Sequence, residues 1–264
     1  MTTTLNLAAN LRAINSLTKY PSIPTYHGLD PKNGNLLPEV TEFSGTVVGT
    51  EKVDGTNGRL IICPDGRYLL GSREHLLYAE GDLIGDPAQG IVNALRPVGD
   101  DLDTPYMSRG RFVVFYMELY GGKVAAASKH YTRDPKRVGM RLFDVATIDD
   151  YDEKLAWPSE RISRWREAGG QDFHAEFELP RWADEIGVPL VPRLFEVDAA
   201  ELPTAIEDVP PWMTSHLPQT RVALDGATPG LAEGIVLRSL DRSVIAKARF
   251  EDYARTLRRK KASR

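Results

Sequence analysis

The segment that most constrains the fold is residues 111–119, RFVVFYMEL. A run so rich in β-branched and aromatic side chains suits a central strand. Other stretches carry the same signature. Phe43, Thr46, Val47 and Val48 lead towards Glu51, residues 59–62 follow, and the turn signal Pro64-Asp65-Gly66 precedes residues 68–70. Residues 140–145 (MRLFDV) read as a further strand, and residues 234–240 and 243–250 as a pair joined by a tight Asp241-Arg242 turn. Helical spacing is found at Leu5, Leu7, Leu11 and Ile14, within residues 2–18. Ser159 is placed to cap a helix running through Ile162 and Trp165 to Gly169, residues 181–186 form another, and a last helix starts at Glu251. Residues 21–35, rich in Pro, Gly and Asn, read as loop. Strands dominate and helices fall irregularly between them, which predicts an α+β fold rather than an alternating parallel sheet.

A length of 264 residues allows one large domain or two small ones, and 42% hydrophobic with 27% charged residues is ordinary for a globular chain. The net charge of -4 gives no global attraction for nucleic acid, so any polyanion site has to be a local basic patch. One cysteine, Cys63, excludes an internal disulfide and fits a reducing compartment. No apolar run is long enough to span a bilayer and no secretion signal precedes the first helix, so the expectation is a soluble, cytoplasmic protein. The five histidines lack zinc-site spacing, and neither a P-loop nor a Rossmann fingerprint is found.

Chemistry concentrates in a few segments. In EKVDGTNGR, residues 51–59, Lys52 stands where a strand runs into a Gly-containing turn, so its amine can reach the rim of a pocket. A nucleophilic lysine must lose its proton, which nearby cations, a metal ion or desolvation can bring about. MELYGG, residues 117–122, puts Glu118 at the end of an apolar strand. EGIVLR, residues 233–238, puts Glu233 just before another, and IAKARF, residues 245–250, puts Lys247 and Arg249 on one strand face. Two cations beside two carboxylates make a site for a polyphosphate and its divalent metal.

The order of these segments, K-x-D-G, ELYGG, FD, EGIVLR and a Lys-bearing strand, resembles the covalent nucleotidyltransferases: DNA ligases, RNA ligases and mRNA capping enzymes. Asn57, five residues after the lysine, stands where DNA ligases and capping enzymes usually carry Arg. The form K-x-D-G-T-N, together with KYPSIP at residues 19–24, is similar to the RNA-ligase branch. The resemblance runs from about residue 19 to residue 250 in motif order, but does not cover the helical stretch at about 150–220. It implies a ligase-type adenylation fold with antiparallel sheets flanked by helices, and an ATP-dependent RNA ligase acting in RNA repair with ATP and Mg²⁺ or Mn²⁺. Lys52 would be adenylated, and the AMP passed to a 5′-phosphate that a 3′-hydroxyl then attacks. Glu51, Thr56 and Asn57 would lie by the nucleotide, with Asn57 and Thr56 also near the nucleic-acid phosphate. Arg73 would contact ribose and phosphate, Phe143 would stack on adenine with Asp144 beside it, and Lys247 and Arg249 would engage phosphate. Asp54, Glu118 and Glu233 would hold the metal, mostly through water.

Two features depart from the family. Arg249 replaces the usual Lys, and a planar, bidentate cation is not an equivalent phosphate ligand. Only a helix follows it, which leaves no room for an appended oligonucleotide-binding barrel. The expectation is a single domain over residues 1–264, with a helical insertion at about 150–220 and a short basic tail carrying Arg255, Arg258, Arg259, Lys260, Lys261 and Arg264. That tail offers a surface for phosphate contacts with RNA ends, on single strands or a nicked duplex. A capping-type guanylyltransferase, a DNA ligase and an inactive nucleic-acid binder are the alternatives. Asn57 counts against the first two, and the full Lys52, Glu118, Glu233 and Lys247 set against the third.

Overall fold

The computed structural model describes residues 5–79, 82–85, 90–226 and 230–262, with side chains as far as residue 260. In chain order it runs α1 (Leu7–Thr18), β1 (His27–Leu29), β2 (Leu36–Val40), β3 (Thr46–Lys52), β4 (Thr56–Ile62), β5 (Tyr68–Ser72), β6 (Leu76–Ala79), β7 (Asp82–Leu83), α2 (Ile91–Asp100), α3 (Thr104–Ser108) and β8 (Phe112–Gly121). It continues with β9 (Val138–Ile148), α4 (Tyr151–Leu155), α5 (Ser159–Glu167), β10 (Asp172–Phe173), α6 (Leu179–Ile186), β11 (Arg193–Asp198), α7 (Val209–His216), β12 (Gly234–Ser239), β13 (Ile245–Arg249) and α8 (Phe250–Ala262). The strands form a seven-stranded sheet in the order β10-β9-β8-β4-β5-β6-β7, a four-stranded sheet in the order β11-β3-β12-β13, and the β1-β2 pair. Neighbours within each sheet pair antiparallel. The α+β expectation holds.

Strand β8 is the spine of the large sheet, flanked by β4 and β9. Its residues alternate between two cores, as strand geometry requires. Val113, Phe115 and Met117 pack with α2 and α6 through Ile91, Leu95, Trp182 and Ile186. Phe112, Val114 and Tyr116 pack with α1 and α5 through Ile14, Leu17 and Ile162. Arg59, fully buried on this second face, keeps its charge and is held by neutral hydrogen-bond acceptors rather than paired with an acid. It donates to the Ser72 and Asn15 carbonyls, Asn15 Oδ1 and Thr18 Oγ1, and burial lowers its pKa to about 10. The small sheet has its own core: Val47, Ile235, Leu237, Ala246 and Ala248 pack against Val209 and Met213 of α7 and Tyr253 of α8.

Two sequence expectations need correction. Residues 21–35 are not all loop: His27 pairs with Val40 and Leu29 with Leu36, around a polar turn held by Asp30. The stretch at about 150–220 is not wholly helical. It holds α4 to α7, but β11 adds a strand to the small sheet beside β3, and β10 adds one to the large sheet beside β9. The turn residues of these segments masked short strands whose stability comes from the edges they pair with. Helices α2 and α3, which the sequence reading passed over, close one face of the large sheet; Pro97 lies inside α2.

Candidate active site

The two sheets are joined at the K-x-D-G turn. Strand β3 ends at Lys52 in the small sheet, residues 53–55 turn, and β4 begins at Thr56 in the large sheet. The turn is tightly seated. A Cβ on Gly55 would lie 2.1 Å from the Leu119 carbonyl oxygen, so only glycine lets this backbone approach β8. The Asp54 N–H donates to Tyr131 Oη at 2.6 Å and the Gly55 N–H to Glu118 Oε1 at 3.0 Å.

Side-chain alternation on β3 puts Val48, Thr50 and Lys52 on the face turned away from the small sheet's own core. That face meets the large sheet across a cleft of about 590 Å³, within the size range of nucleotide and cofactor sites. Thr50, Lys52, Val236, Arg238, Ile245 and Lys247 line it from one side, and Asn57, Arg73, Glu118 and Phe143 from the other. Tyr20, Pro21 and Ile23 close one end, where the Pro24 carbonyl and Tyr26 N–H bond the backbone of Lys247.

Lys52 Nζ lies 2.6 Å from Glu233 Oε2, with both side chains mostly shielded. Burial raises the pKa of Glu233, only partly offset by Lys52. Glu118 is pushed up to about 8, first by burial and then by Glu233 and Asp54, against the lowering effect of Lys52 and the Gly55 N–H. Lys247 moves the other way: burial and the positive charges of Arg249, Lys52 and Arg73 lower its pKa, while Glu233 opposes. The cleft therefore sets Lys247, which is in no ion pair within 4 Å among the described residues, beside the Lys52–Glu233 pair and the half-buried Glu118, a field suited to an anionic ligand that brings its own countercharge.

A model of the RNA ligase family matches residues 45–250. The chain belongs to the RNA ligase family. Solved structures of Naegleria gruberi RNA ligase share its fold. The form with pyrophosphate aligns with TM-score 0.58 at 13% identity over 92% of this chain and 59% of that one. A variant with ATP and manganese aligns with TM-score 0.58 at 13% identity over 90% and 58%. An apo variant gives 0.57 at 13% over 93% and 58%. This chain thus spans less than two thirds of the length of the solved ligases it matches. A search of curated protein sequences finds no significant match.

In this family member, ten of the eleven residues expected at the site line the one cleft: Glu51, Lys52, Asp54, Thr56, Asn57, Arg73, Glu118, Phe143, Glu233 and Lys247. Their side chains are not equally available. The Glu51 carboxylate accepts from Thr220 Oγ1 at 2.5 Å and from the Arg221 N–H at 2.8 Å, so it anchors the segment before β12. Thr56 Oγ1 donates to the Val124 carbonyl at 3.2 Å. Asn57 Oδ1 is buried and has no partner, a polar atom left for a ligand. The eleventh, Arg249, does not line the cleft. Asp252, three residues on, takes its guanidinium at 2.7 Å and, against burial, raises its pKa.

Asp144, beside Phe143, is engaged within the protein. It is fully buried, accepts from Arg242 Nε at 2.7 Å and Tyr20 Oη at 2.8 Å, and lies 3.6 Å from Arg238 Nη1. Arg238 in turn reaches Glu176 and the Phe143 carbonyl. This network ties the sheets together at the cleft floor and sets the position of Phe143, whose ring meets Tyr20 edge-on at 5.1 Å and Tyr116 at 6.3 Å. Burial and the Asp144 charge raise the pKa of Tyr20, keeping it a donor. Sequence reasoning missed Tyr20, Tyr131, Val236, Arg238 and Ile245. The KYPSIP segment, which holds Tyr20, was the available signal. The basic tail is largely occupied: Arg255 binds Asp252 and the Gly34 carbonyl, Arg259 binds the Asn33 carbonyl and Asn35 Oδ1, and Lys260 pairs with Glu207. The Lys261 side chain and Arg264 lie outside the described residues.

Proposed function

We propose that this chain is an ATP-dependent RNA ligase that adenylates itself on Lys52. The observation that carries this reading is the Lys52 amine, 2.6 Å from Glu233, at the mouth of a cleft shared with Glu118, Phe143 and Lys247. The adenine would lie between Phe143 of the large sheet and the aliphatic Val236 and Ile245 of the small one, which flank the same space. The triphosphate would then run towards Lys52 and Lys247.

Lys52 must attack as the neutral amine. Glu233, whose raised pKa makes it a better base than an ordinary carboxylate, is placed to take the ammonium proton. The Nζ lone pair then forms a bond to the α-phosphorus as the bond to the pyrophosphate oxygen breaks. Lys247, with its lowered pKa, faces the developing phosphate charge. Transfer of AMP to a 5′-phosphate breaks the Nζ–P bond and forms a P–O–P anhydride. Attack by a 3′-hydroxyl forms the phosphodiester and releases AMP.

The solved N. gruberi relative has been captured with ATP and manganese, and a divalent cation fits the donor set here. Among the described residues no group of three or more His, Cys, Asp or Glu could hold a metal on its own. Asp54, Glu118 and Glu233 would instead hold Mg²⁺ or Mn²⁺ through water, with phosphate oxygens completing the shell. When bound, the ion neutralises phosphate charge. Mass spectrometry of the chain after ATP and Mg²⁺ tests the reading. One added AMP on Lys52, discharged by a 5′-phosphorylated RNA, is expected. No adduct, or an adduct with GTP but not ATP, overturns it.

A further inference from the structure

The hairpin joining β8 to β9 carries five cations the site does not use. Gly121 pairs with Val138, so residues 122–137 project from the sheet end that bears Glu118. Three residues separate Glu118 from Gly121, about 10 Å at the rise of a strand. The loop is fastened directly to the catalytic turn. Its Val124 carbonyl accepts from Thr56 Oγ1 at 3.2 Å, and its Tyr131 Oη accepts from the Asp54 N–H at 2.6 Å. On its other side Thr132 Oγ1 and the Arg133 N–H both bond Asp225 Oδ2 at 2.9 Å, and the Leu224 N–H bonds the Tyr131 carbonyl at 2.8 Å.

Lys123, Lys129, Arg133, Lys136 and Arg137 are all exposed on this loop. Among the described residues, none of the five is in an ion pair within 4 Å. The loop's one carboxylate, Asp134, is exposed and accepts the Lys136 N–H at 2.8 Å. A stretch of net charge +4 therefore stands on a chain of net charge -4. Like charges held together on a fastened loop repel one another, and a polyanion relieves that repulsion. The loop's aromatic ring, Tyr131, is buried, so the surface offers charge for phosphates and no stacking platform for bases.

We infer that residues 122–137 grip the phosphate backbone of the RNA strand whose 5′-phosphate is delivered to Lys52. The inference rests on the ligase reading above and supplies the grip that the C-terminal helix lacks. It predicts sequence-tolerant, salt-sensitive binding.

The test uses the full chain with all five cations replaced (Lys123→Ser, Lys129→Ser, Arg133→Ser, Lys136→Ser, Arg137→Ser) and a 5′-phosphorylated single-stranded RNA oligonucleotide, titrated at several salt concentrations. Each phosphate contact on a single strand contributes about 0.7 to the slope of log affinity against log salt. The five-fold variant should lose about 3.5 from that slope and bind at least about tenfold more weakly at low salt. It should still add AMP to Lys52 from ATP at the wild-type rate. A second variant, Lys136→Glu with Arg137→Glu at the exposed edge, should lose affinity in proportion while keeping the wild-type melting temperature. An unchanged slope and affinity overturn the inference, as does loss of AMP addition, which would make the loop a support for the cleft. Failure of the wild-type chain to take AMP from ATP is a separate result, and it strikes the ligase reading instead.

Discussion

Lys247 in the cleft and Lys260 in the terminal helix carry the same charge and meet opposite fates. Lys247 is half-buried among Arg249, Lys52 and Arg73, and its pKa falls because burial and those charges disfavour another cation. Lys260 is exposed and paired with Glu207 at 3.0 Å, while its neighbour Arg259 clasps the turn of the β1-β2 hairpin. In the cleft the protein gives Lys247 no ion-pair partner within 4 Å among the described residues, while Lys52 beside it pairs with Glu233. In the helix it supplies the partners itself. Charge density along a sequence does not separate the two cases, because it records where cations are and not what has already answered them.

The largest expected effect is on the nucleophile. Lys52→Arg keeps the charge but cannot form the adduct, so AMP addition and sealing of unactivated 5′-phosphate ends should fall to background. Melting should change little, since the Lys52–Glu233 pair is partly exposed. An AMP adduct on the variant would refute the assignment.

Next comes the base. Phe143→Ala should raise the ATP concentration needed for half-maximal AMP addition by roughly 5- to 150-fold, the range of one lost stacking contact of about 1–3 kcal/mol. Phe143→Tyr should stay near wild type. A fall in melting temperature with no change in ATP requirement would reassign Phe143 to the core alone.

A smaller effect concerns pH. The folded pKa of Glu118, about 8, lies above its value in an unfolded chain. The folded state therefore binds this proton more tightly, and its contribution to stability is lost as pH rises from about 4.3 through 8. Glu118→Gln removes the titration while leaving an oxygen for the Gly55 N–H. Relative to wild type it should gain stability with rising pH across that window. Parallel melting curves from pH 5 to 8.5 would show that Glu118 is not raised.

The smallest effect is expected at the other pole of the comparison. Removing residues 258–264 should cost about 1 kcal/mol, roughly 2–4 °C in melting temperature, by releasing the hairpin clasp. The salt slope of RNA binding should not change. A lowered slope would erase the contrast between the two sets of cations.

Much of this architecture can be read from the chain because it is periodic. The strands around Lys52, Glu118, Phe143 and Lys247 announce themselves by composition, and strand alternation brings each of these side chains to the cleft. The β1-β2 hairpin and β11 hid in segments whose turn residues outweigh their short apolar runs. The cleft floor hid for another reason: Asp144 meets Arg238 and Arg242 nearly a hundred positions away, and no local pattern encodes that encounter. Arg249 was expected beside Lys247; its charge acts on Lys247 and Glu233, but Asp252, three residues on, takes its guanidinium, a pairing the strand pattern alone does not reveal.

The crossing of the chain between its sheets at Lys52 has one more consequence. At the reactive end, the spacing between the walls is fixed by the peptide bonds of residues 53–55. At the Phe143 end it is fixed by Asp144 with Arg238 and Arg242. One jaw is hinged by covalent chain and the other is latched by ions. Substitution can retune the latch, and with it the width of the cleft beside Phe143, while the spacing at Lys52 stays as it was.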